Sequence, residues 1–149
     1  MPKTVGYMLT WTTYGTWLQG SEKGFVKDGQ IRGENVGLKM DCEKKLKRSP
    51  VRLGREERQI VRKAILEAAK RFKQNIRAIA VRSNHVHIVC EYVDVPTGVL
   101  VGYYKNAGRK ALQKSVHEGR VWTRGYDKRF CFDEQALSER VKYVEGHEF

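Results

Sequence analysis

The sequence is poor in the residues that mark disulfide-rich, zinc-ribbon or membrane-spanning proteins. It has three cysteines in 149 residues, Cys42, Cys90 and Cys131, and no two of them have CxxC spacing. An odd count without that spacing argues against a disulfide framework and a zinc ribbon, and it indicates a reduced, cytoplasmic setting. No run approaches the roughly 20 apolar residues of a membrane span, and the N-terminus lacks the apolar core of a signal peptide. We therefore expect no membrane partner.

Acidic residues are also scarce, with 17 Asp and Glu against 29 Lys and Arg, which gives a formal net charge of +12. The excess lies in two stretches: residues 39–63 hold ten basic and four acidic residues, and residues 102–129 hold eight and two. Like-signed blocks favour contact with phosphates, and the polyanion that they indicate is most often nucleic acid. Aromatic residues near the blocks could stack on unpaired bases, although each is individually more typical of a core.

Hydrophobic residues make up 40% of the chain and charged residues 31%, a balance that excludes general disorder and a coiled coil. The length predicts a single domain over residues 1–149, with a core large enough to need no disulfide. Six glycines lie in residues 15–52, and we interpret this stretch as a long insertion that is either functional or partly disordered.

Hydrophobic periodicity predicts the order β-α-β-β-α-β-α. Strands rich in β-branched and aromatic residues are expected at 5–14, 76–82, 85–93 and 128–132. Helices are expected over 54–73, from 96 to about 114, and from 133 to the end of the chain. The first six elements match a ferredoxin-like split βαβ fold of the α+β class, with an antiparallel sheet and both long helices on one face. The last helix is an addition to that fold.

His85 and His87 flank one apolar residue on the third predicted strand. Because successive side chains alternate across a sheet, the two imidazoles share one face, whereas Val86, Ile88 and Cys90 share the other. The apolar set should pack under the two long helices. The imidazoles then lie on the uncovered face of the sheet, where they would form a bidentate metal site. By itself the pattern is equally compatible with two surface histidines.

The last predicted helix carries Tyr143 and His147 four residues apart, and therefore on one helical face. A helix that crosses the open side of the sheet would bring both residues over His85 and His87. His147 would then complete a set of three nitrogen ligands, and Tyr143 would stand beside them as a nucleophile. The alternative is a tyrosine packed in the core. The competing nucleophiles are Tyr103, Tyr104 and Tyr126.

These motifs, in this order, resemble the single-tyrosine HUH transposase family, which includes REP-associated tyrosine transposase-like and insertion-sequence transposases. The His-Val-His triplet resembles its histidine-hydrophobic-histidine motif, and Tyr143 follows His87 by 56 positions. The segments TWTTYGTWLQG and WTRG are similar to one branch of these proteins. The resemblance implies that His85, His87 and His147 bind a divalent metal, Mg, Mn or another transition metal. Position 147 departs from the family, where Gln or Asn is common, and three imidazoles suit Mn, Co, Ni or Zn better than Mg.

The resemblance also implies an activity, the cleavage and transfer of single-stranded DNA at hairpin-flanked sites through a covalent 5′-phosphotyrosine on Tyr143. The expected partner is single-stranded or hairpin DNA, and the family contains both monomers and homodimers. The residues that we expect to contact DNA are Trp11, Lys105, Arg109, Lys110, Lys114 and Arg124. Two alternatives stay open: a non-catalytic DNA- or RNA-binding module on the same fold, and a metal-dependent hydrolase with Glu91 or Glu145 as general base.

Overall fold

A computed structural model of the chain describes residues 3–16, 50–113 and 120–146. Within these ranges the elements follow the order β1-α1-β2-β3-α2-β4-α3. The strands are β1 (Gly6–Thr12), β2 (Ile76–Val81), β3 (His85–Glu91) and β4 (Asp127–Cys131). The helices are α1 (Arg55–Arg71), α2 (Thr97–Gln113) and α3 (Glu134–Glu145). The order of elements predicted from the sequence is confirmed.

The strands form one antiparallel sheet in the order β2-β3-β1-β4. In the ladder between β1 and β3, Thr10 lies opposite His87 and Thr12 lies opposite His85. β2 and β3 form a hairpin whose turn closes with a 2.8 Å hydrogen bond from the Arg82 N–H to the His85 carbonyl. Because β3 separates β1 from β2 and all pairs are antiparallel, the sheet has the ferredoxin-like topology expected from the sequence.

The main core lies between the sheet and the two long helices, α1 and α2. Leu9 and Trp11 from β1 point into it, and they are 0% exposed. From β3 it takes Val86, Ile88 and Cys90, as the alternation of that strand predicts. Within the described part of the chain, no helix is long and apolar enough to cross a membrane.

The third helix, α3, covers the opposite face of the sheet. It begins after Asp133, whose side chain accepts a 2.8 Å hydrogen bond from the Ala136 N–H and places negative charge at the helix N-terminus. Leu137 and Val144 are buried on the sheet side of α3. They pack in a second, smaller cluster with Met8, Ala78, Ala80, Val89 and Cys131. The open face that the sequence predicts for the histidines is therefore the face under α3.

Arg77 on β2 ties the first turn of α3 to the sheet. Its guanidinium forms ion pairs with the carboxylate of Glu134 on α3 and with Glu91 on β3, the second with an Nε–Oε2 distance of 2.9 Å. The hydrogen bond from Arg77, with one from Asn75, holds the pKa of Glu91 below its ordinary value. This contact lies near the N-terminus of α3, at the other end of the helix from Tyr143.

Most of the predicted insertion over residues 15–52 lies outside the described residues, as does Cys42. Its last residues do not, and Val51 is buried in the main core together with the following Leu53. The Val51 N–H donates a 2.8 Å hydrogen bond to the Tyr14 carbonyl. The end of the insertion is therefore part of the folded core.

Gly6 lies where α3 crosses close over β1 and β3. A Cβ at this position would lie 2.6 Å from the Cys90 carbonyl oxygen and 2.7 Å from Leu137 Cδ1. We expect Gly6→Ala to lower the free energy of unfolding by about 1–3 kcal/mol, because the added methyl overpacks the interface between the sheet and α3. Urea titration followed by circular dichroism measures the change.

The matched control is Gly102→Ala on α2, where an added Cβ meets no atom within 4 Å. This change should raise the free energy of unfolding by up to about 1 kcal/mol, since alanine has the higher helix propensity. An unchanged urea midpoint for Gly6→Ala would contradict the close approach of α3.

Candidate functional site

His85 and His87 lie side by side on the face of β3 that α3 covers. Their ring centroids are 4.7 Å apart and their planes meet at 72°. His87 is 8% exposed, and His85 is partly buried at the start of the strand. The alternation of β3 therefore brings the two imidazoles together as the sequence predicts, with Val86 directed to the opposite face.

Each imidazole has a polar partner at Nδ1. The Thr10 hydroxyl, directly across the ladder on β1, lies 2.8 Å from Nδ1 of His87. The side-chain oxygen of Asn84 lies 2.8 Å from Nδ1 of His85. An amide oxygen can only accept, so Nδ1 of His85 is the donor in this contact, and in the neutral ring Nε2 then carries the lone pair that can bind a metal. A hydroxyl can donate or accept, so Thr10 can partner either tautomer of His87.

Tyr143, in the last turn of α3, contacts the imidazole pair. Its ring centroid lies 5.8 Å from that of His87, in an edge-to-face arrangement at 69°. The side chain is 47% exposed, although the neighbouring Val144 is fully buried against the sheet. Tyr143 is therefore accessible to a macromolecular substrate, which distinguishes it from a core tyrosine.

The competing tyrosines belong to the α2 side of the sheet. Tyr104 is buried, its hydroxyl donates to Gln74, and burial raises the pKa of its phenol above the ordinary value. The Tyr126 hydroxyl lies 2.8 Å from the hydroxyl of Thr97 on α2. Tyr103 is 51% exposed, but α2 places it across the sheet from the histidines. Among these tyrosines and Tyr143, only the last contacts His87.

The two imidazoles fit two ligand positions of a divalent metal, since both offer nitrogen from one face of a rigid strand. The third predicted ligand, His147, lies outside the described residues, and so does His117. In residues 3–16, 50–113 and 120–146, no three His, Cys, Asp or Glu side chains come together as a metal site.

The two carboxylates considered as general bases are less well suited to that role. Glu91 shares the imidazole face, but its carboxylate accepts hydrogen bonds from Arg77 and, with a smaller effect, from Asn75, and these lower its pKa. A carboxylate held as an anion in this way is a poor proton acceptor. Glu145 is exposed in the last turn of α3.

Two of the predicted DNA contacts have structural roles. Trp11 was a wrong assignment, because it is 0% exposed and packs edge-on against Trp122 at 6.0 Å, where no base can reach it. Lys105 is half-buried, which lowers the pKa of its amine. Its Nζ donates to the carbonyls of Thr123, at 2.9 Å, and Gly125, at 2.7 Å. Lys105 therefore holds the loop before β4 in place.

The remaining predicted contacts stay predictions, and their positions differ. Lys110 on α2 is exposed, whereas the half-buried Arg109 donates a 2.8 Å hydrogen bond to Asn106. Lys114 lies outside the described residues. Arg124 is exposed in the loop that Lys105 holds, directly after Thr123.

The loop that carries Arg124 lies at the imidazole end of the sheet. The Thr123 N–H donates a 2.9 Å hydrogen bond to the carbonyl of Thr12, and Thr12 is paired with His85. The Thr13 N–H in turn donates to the carbonyl of Asn84. Arg124 thus lies in a loop at the end of the sheet that carries His85.

Thr10 and Asn84 are the site residues that the sequence analysis missed. Asn84 directly precedes the His-Val-His triplet, and this position in the sequence could have indicated that it contacts His85. Thr10 could not be found in the same way, because its contact with His87 depends on the register between β1 and β3, and the sequence does not give that register.

Comparisons with known proteins agree with this architecture. A family model described as IS200-like transposase matches residues 45–147. The fold is similar to that of a REP-associated tyrosine transposase solved bound to a REP hairpin, with 12% identity and a TM-score of 0.56. That match covers 95% of this chain, which spans 65% of the length of the other. A comparison with curated proteins finds no match.

A second similar structure is that of a candidate transposase from Deinococcus radiodurans R1, with 14% identity and a TM-score of 0.50. The match covers 97% of this chain and 91% of the other. At these levels of identity the two structures show a shared fold.

The different placements of Lys105 and Lys110 lead to a test. Lys105→Met should lower the free energy of unfolding by about 1–2 kcal/mol, because two loop carbonyls lose a charged donor. Lys110→Met, on the exposed side of the same helix, should change it by less than about 0.5 kcal/mol. Urea titration measures both variants, and equal stability of the two would contradict the structural role of Lys105.

Proposed function

Because the chain belongs to the IS200-like transposase family, we propose that it cleaves and rejoins single-stranded DNA through Tyr143, with a divalent metal held by His85 and His87. The observation that carries this proposal is the contact between the Tyr143 and His87 rings, 5.8 Å apart, across α3 and β3. It brings the proposed nucleophile on α3 beside an imidazole pair on β3 that would hold the metal. The family supports the transposase-like function, and the contact supports the choice of tyrosine.

In the proposed reaction, the phenol oxygen of Tyr143 attacks the phosphorus of the scissile phosphodiester. A new bond forms between phosphorus and the tyrosine oxygen, and the bond to the 3′ oxygen breaks. The phosphate stays on the 5′ end of the downstream segment as a phosphotyrosine, and the proton lost by the phenol ends on the released 3′-hydroxyl. Because one phosphodiester replaces another, attack by a 3′-hydroxyl on the phosphotyrosine reverses the step and joins strands.

The metal-binding part of the proposal rests on the donor chemistry of the site. His85 and His87 would hold the cation, and His147, four residues after Tyr143 in the sequence, would be its third ligand. A divalent metal bound there would polarise the scissile phosphate and stabilise the negative charge that develops on it. Imidazole ligands favour Mn, Co, Ni or Zn over Mg, so we propose that Mn supports the reaction better than Mg.

The proposed substrate is single-stranded DNA next to a hairpin. A flexible single strand can bring its scissile phosphate to a tyrosine beside the sheet, whereas a duplex is stiff and bends only at a cost in energy. Arg124, at the imidazole end, and Lys110, on α2, are exposed cations that could contact the phosphate backbone. The hairpin is supported by the similar structure that was solved with a REP hairpin.

The direct test is formation of a covalent adduct with a hairpin oligonucleotide that has single-stranded flanks. The label is placed at the 3′ end, because a 5′-phosphotyrosine retains the 3′ segment. With Mn present, we expect the full chain to form an adduct that survives denaturing gel electrophoresis. Tyr143→Phe should reduce it to background, since the variant lacks the nucleophilic oxygen. Tyr103→Phe, which changes an exposed tyrosine on the opposite side, should retain it.

Two results would contradict this assignment. An adduct that persists in Tyr143→Phe and disappears in Tyr103→Phe would show that the wrong tyrosine was chosen. Salt-sensitive binding of the hairpin without any adduct, across several metals and flanking sequences, would instead support the non-catalytic binding module.

Metal dependence has its own test. A chelator should abolish adduct formation by the wild-type protein, and added Mn should restore it. His87→Ala should lower the rate of adduct formation at least about 100-fold, as expected when charge stabilisation at the phosphate is lost. Hairpin binding measured in the chelator should be unchanged in this variant. Full activity of His87→Ala would exclude this residue as a ligand.

A further inference from the structure

We propose that Thr10 and Asn84 are positioning residues that fix the orientation and tautomer of His87 and His85, so that both rings present Nε2 to the metal. This inference rests on the proposed function and deepens it, because it assigns roles to two residues that the metal site itself does not include. It is carried by two hydrogen bonds, both of 2.8 Å and both made to Nδ1.

Thr10 is held rigidly opposite its histidine. It lies in β1, which pairs with β3 on one side and β4 on the other, so its backbone is fixed by two ladders. Its side chain is 5% exposed and shares the face of His87, its direct cross-strand partner. A buried hydroxyl at this position limits rotation of the imidazole about its side-chain bonds.

Asn84 is held by the backbone of the turn that it occupies. Its carbonyl accepts a 2.9 Å hydrogen bond from the Thr13 N–H, and the preceding Ser83 carbonyl accepts one of 2.7 Å from the Leu53 N–H. The turn is therefore tied to the end of β1 and to the segment before α1. Its side-chain oxygen reaches His85 from this fixed position.

The two partners act differently on the proton of each ring. A neutral imidazole that ligates through Nε2 must carry its proton on Nδ1. The Asn84 oxygen only accepts, so it stabilises that tautomer of His85 outright. The Thr10 hydroxyl can partner either tautomer of His87, and ligation through Nε2 requires the arrangement in which Thr10 accepts.

Thr10 also acts on the nucleophile through His87. The ring that it orients is the one against which the Tyr143 ring packs at 5.8 Å. Rotation of the His87 ring would therefore move its Nε2 and would also alter the surface against which the Tyr143 ring packs.

The test compares Thr10→Val, which removes the hydroxyl at nearly constant volume, with Thr10→Ser, which keeps it. Calorimetric titration of the full chain with MnCl₂ should show about 10- to 100-fold weaker binding in Thr10→Val, as found when such partners of metal ligands are removed. Thr10→Ser should bind Mn close to the wild-type affinity. Asn84→Ala and Asn84→Asp form a second pair, since only aspartate retains an accepting oxygen.

A second measurement needs no metal and no DNA. Nitrogen-15 NMR of the imidazoles in the metal-free protein reports which ring nitrogen carries the proton. We expect Thr10→Val to change the signals of His87 and leave those of His85, and Asn84→Ala to do the reverse. Unchanged urea midpoints and hairpin binding in a chelator would show that the variants are folded.

The outcomes separate this inference from the proposed function. Wild-type Mn affinity and wild-type imidazole signals in Thr10→Val and Asn84→Ala would overturn the positioning roles. If the wild-type protein binds no metal while the imidazole signals respond as expected, the metal-dependent function fails and the control of the two rings by Thr10 and Asn84 stands.

Discussion

The alternation of side chains along β3 is the constraint on which the rest of the structure depends. One short strand sends Val86, Ile88 and Cys90 into the main core and presents His85 and His87 to the other face. The apolar side packs against α1 and α2, so the imidazoles lie on the opposite face, which α3 covers. A shift of β3 by a single residue would exchange the two faces, bury the imidazoles under the long helices and remove the site. The register of β3 therefore determines both the packing of the main core and the position of the two imidazoles.

The two halves of the site are held with very different strength. The imidazoles belong to a strand at the centre of the sheet, flanked by ladders on both sides. Tyr143 belongs to α3, which is anchored by the buried Leu137 and Val144, the Asp133 cap and the ion pairs of Arg77. A helix with few buried side chains opens at lower free energy than a central strand. The fold thus combines two imidazoles on a rigid central strand with a tyrosine on the helix that has the fewest buried side chains among the described helices.

Much of the fold and the centre of the site could be predicted from the sequence, because both depend on simple periods. The two-residue period of β3 predicted the shared face of His85 and His87. The same alternation in β1 places Trp11 beside Leu9 in the core. Its assignment as a DNA contact is wrong because it rests on the aromatic side chain alone and not on its position in the strand. Lys105 and Thr10 were beyond sequence reasoning, since their partners come from a loop and from a neighbouring strand whose register only the structure defines.

The tether of α3 by Arg77 has a consequence for ionic strength. Its pairs with Glu91 and Glu134 are exposed, so dissolved ions screen them readily. The same ions compete with a basic protein for the phosphates of DNA. Raised salt therefore weakens the tether of the helix that carries Tyr143 and, at the same time, the attraction between this basic chain and a polyanion.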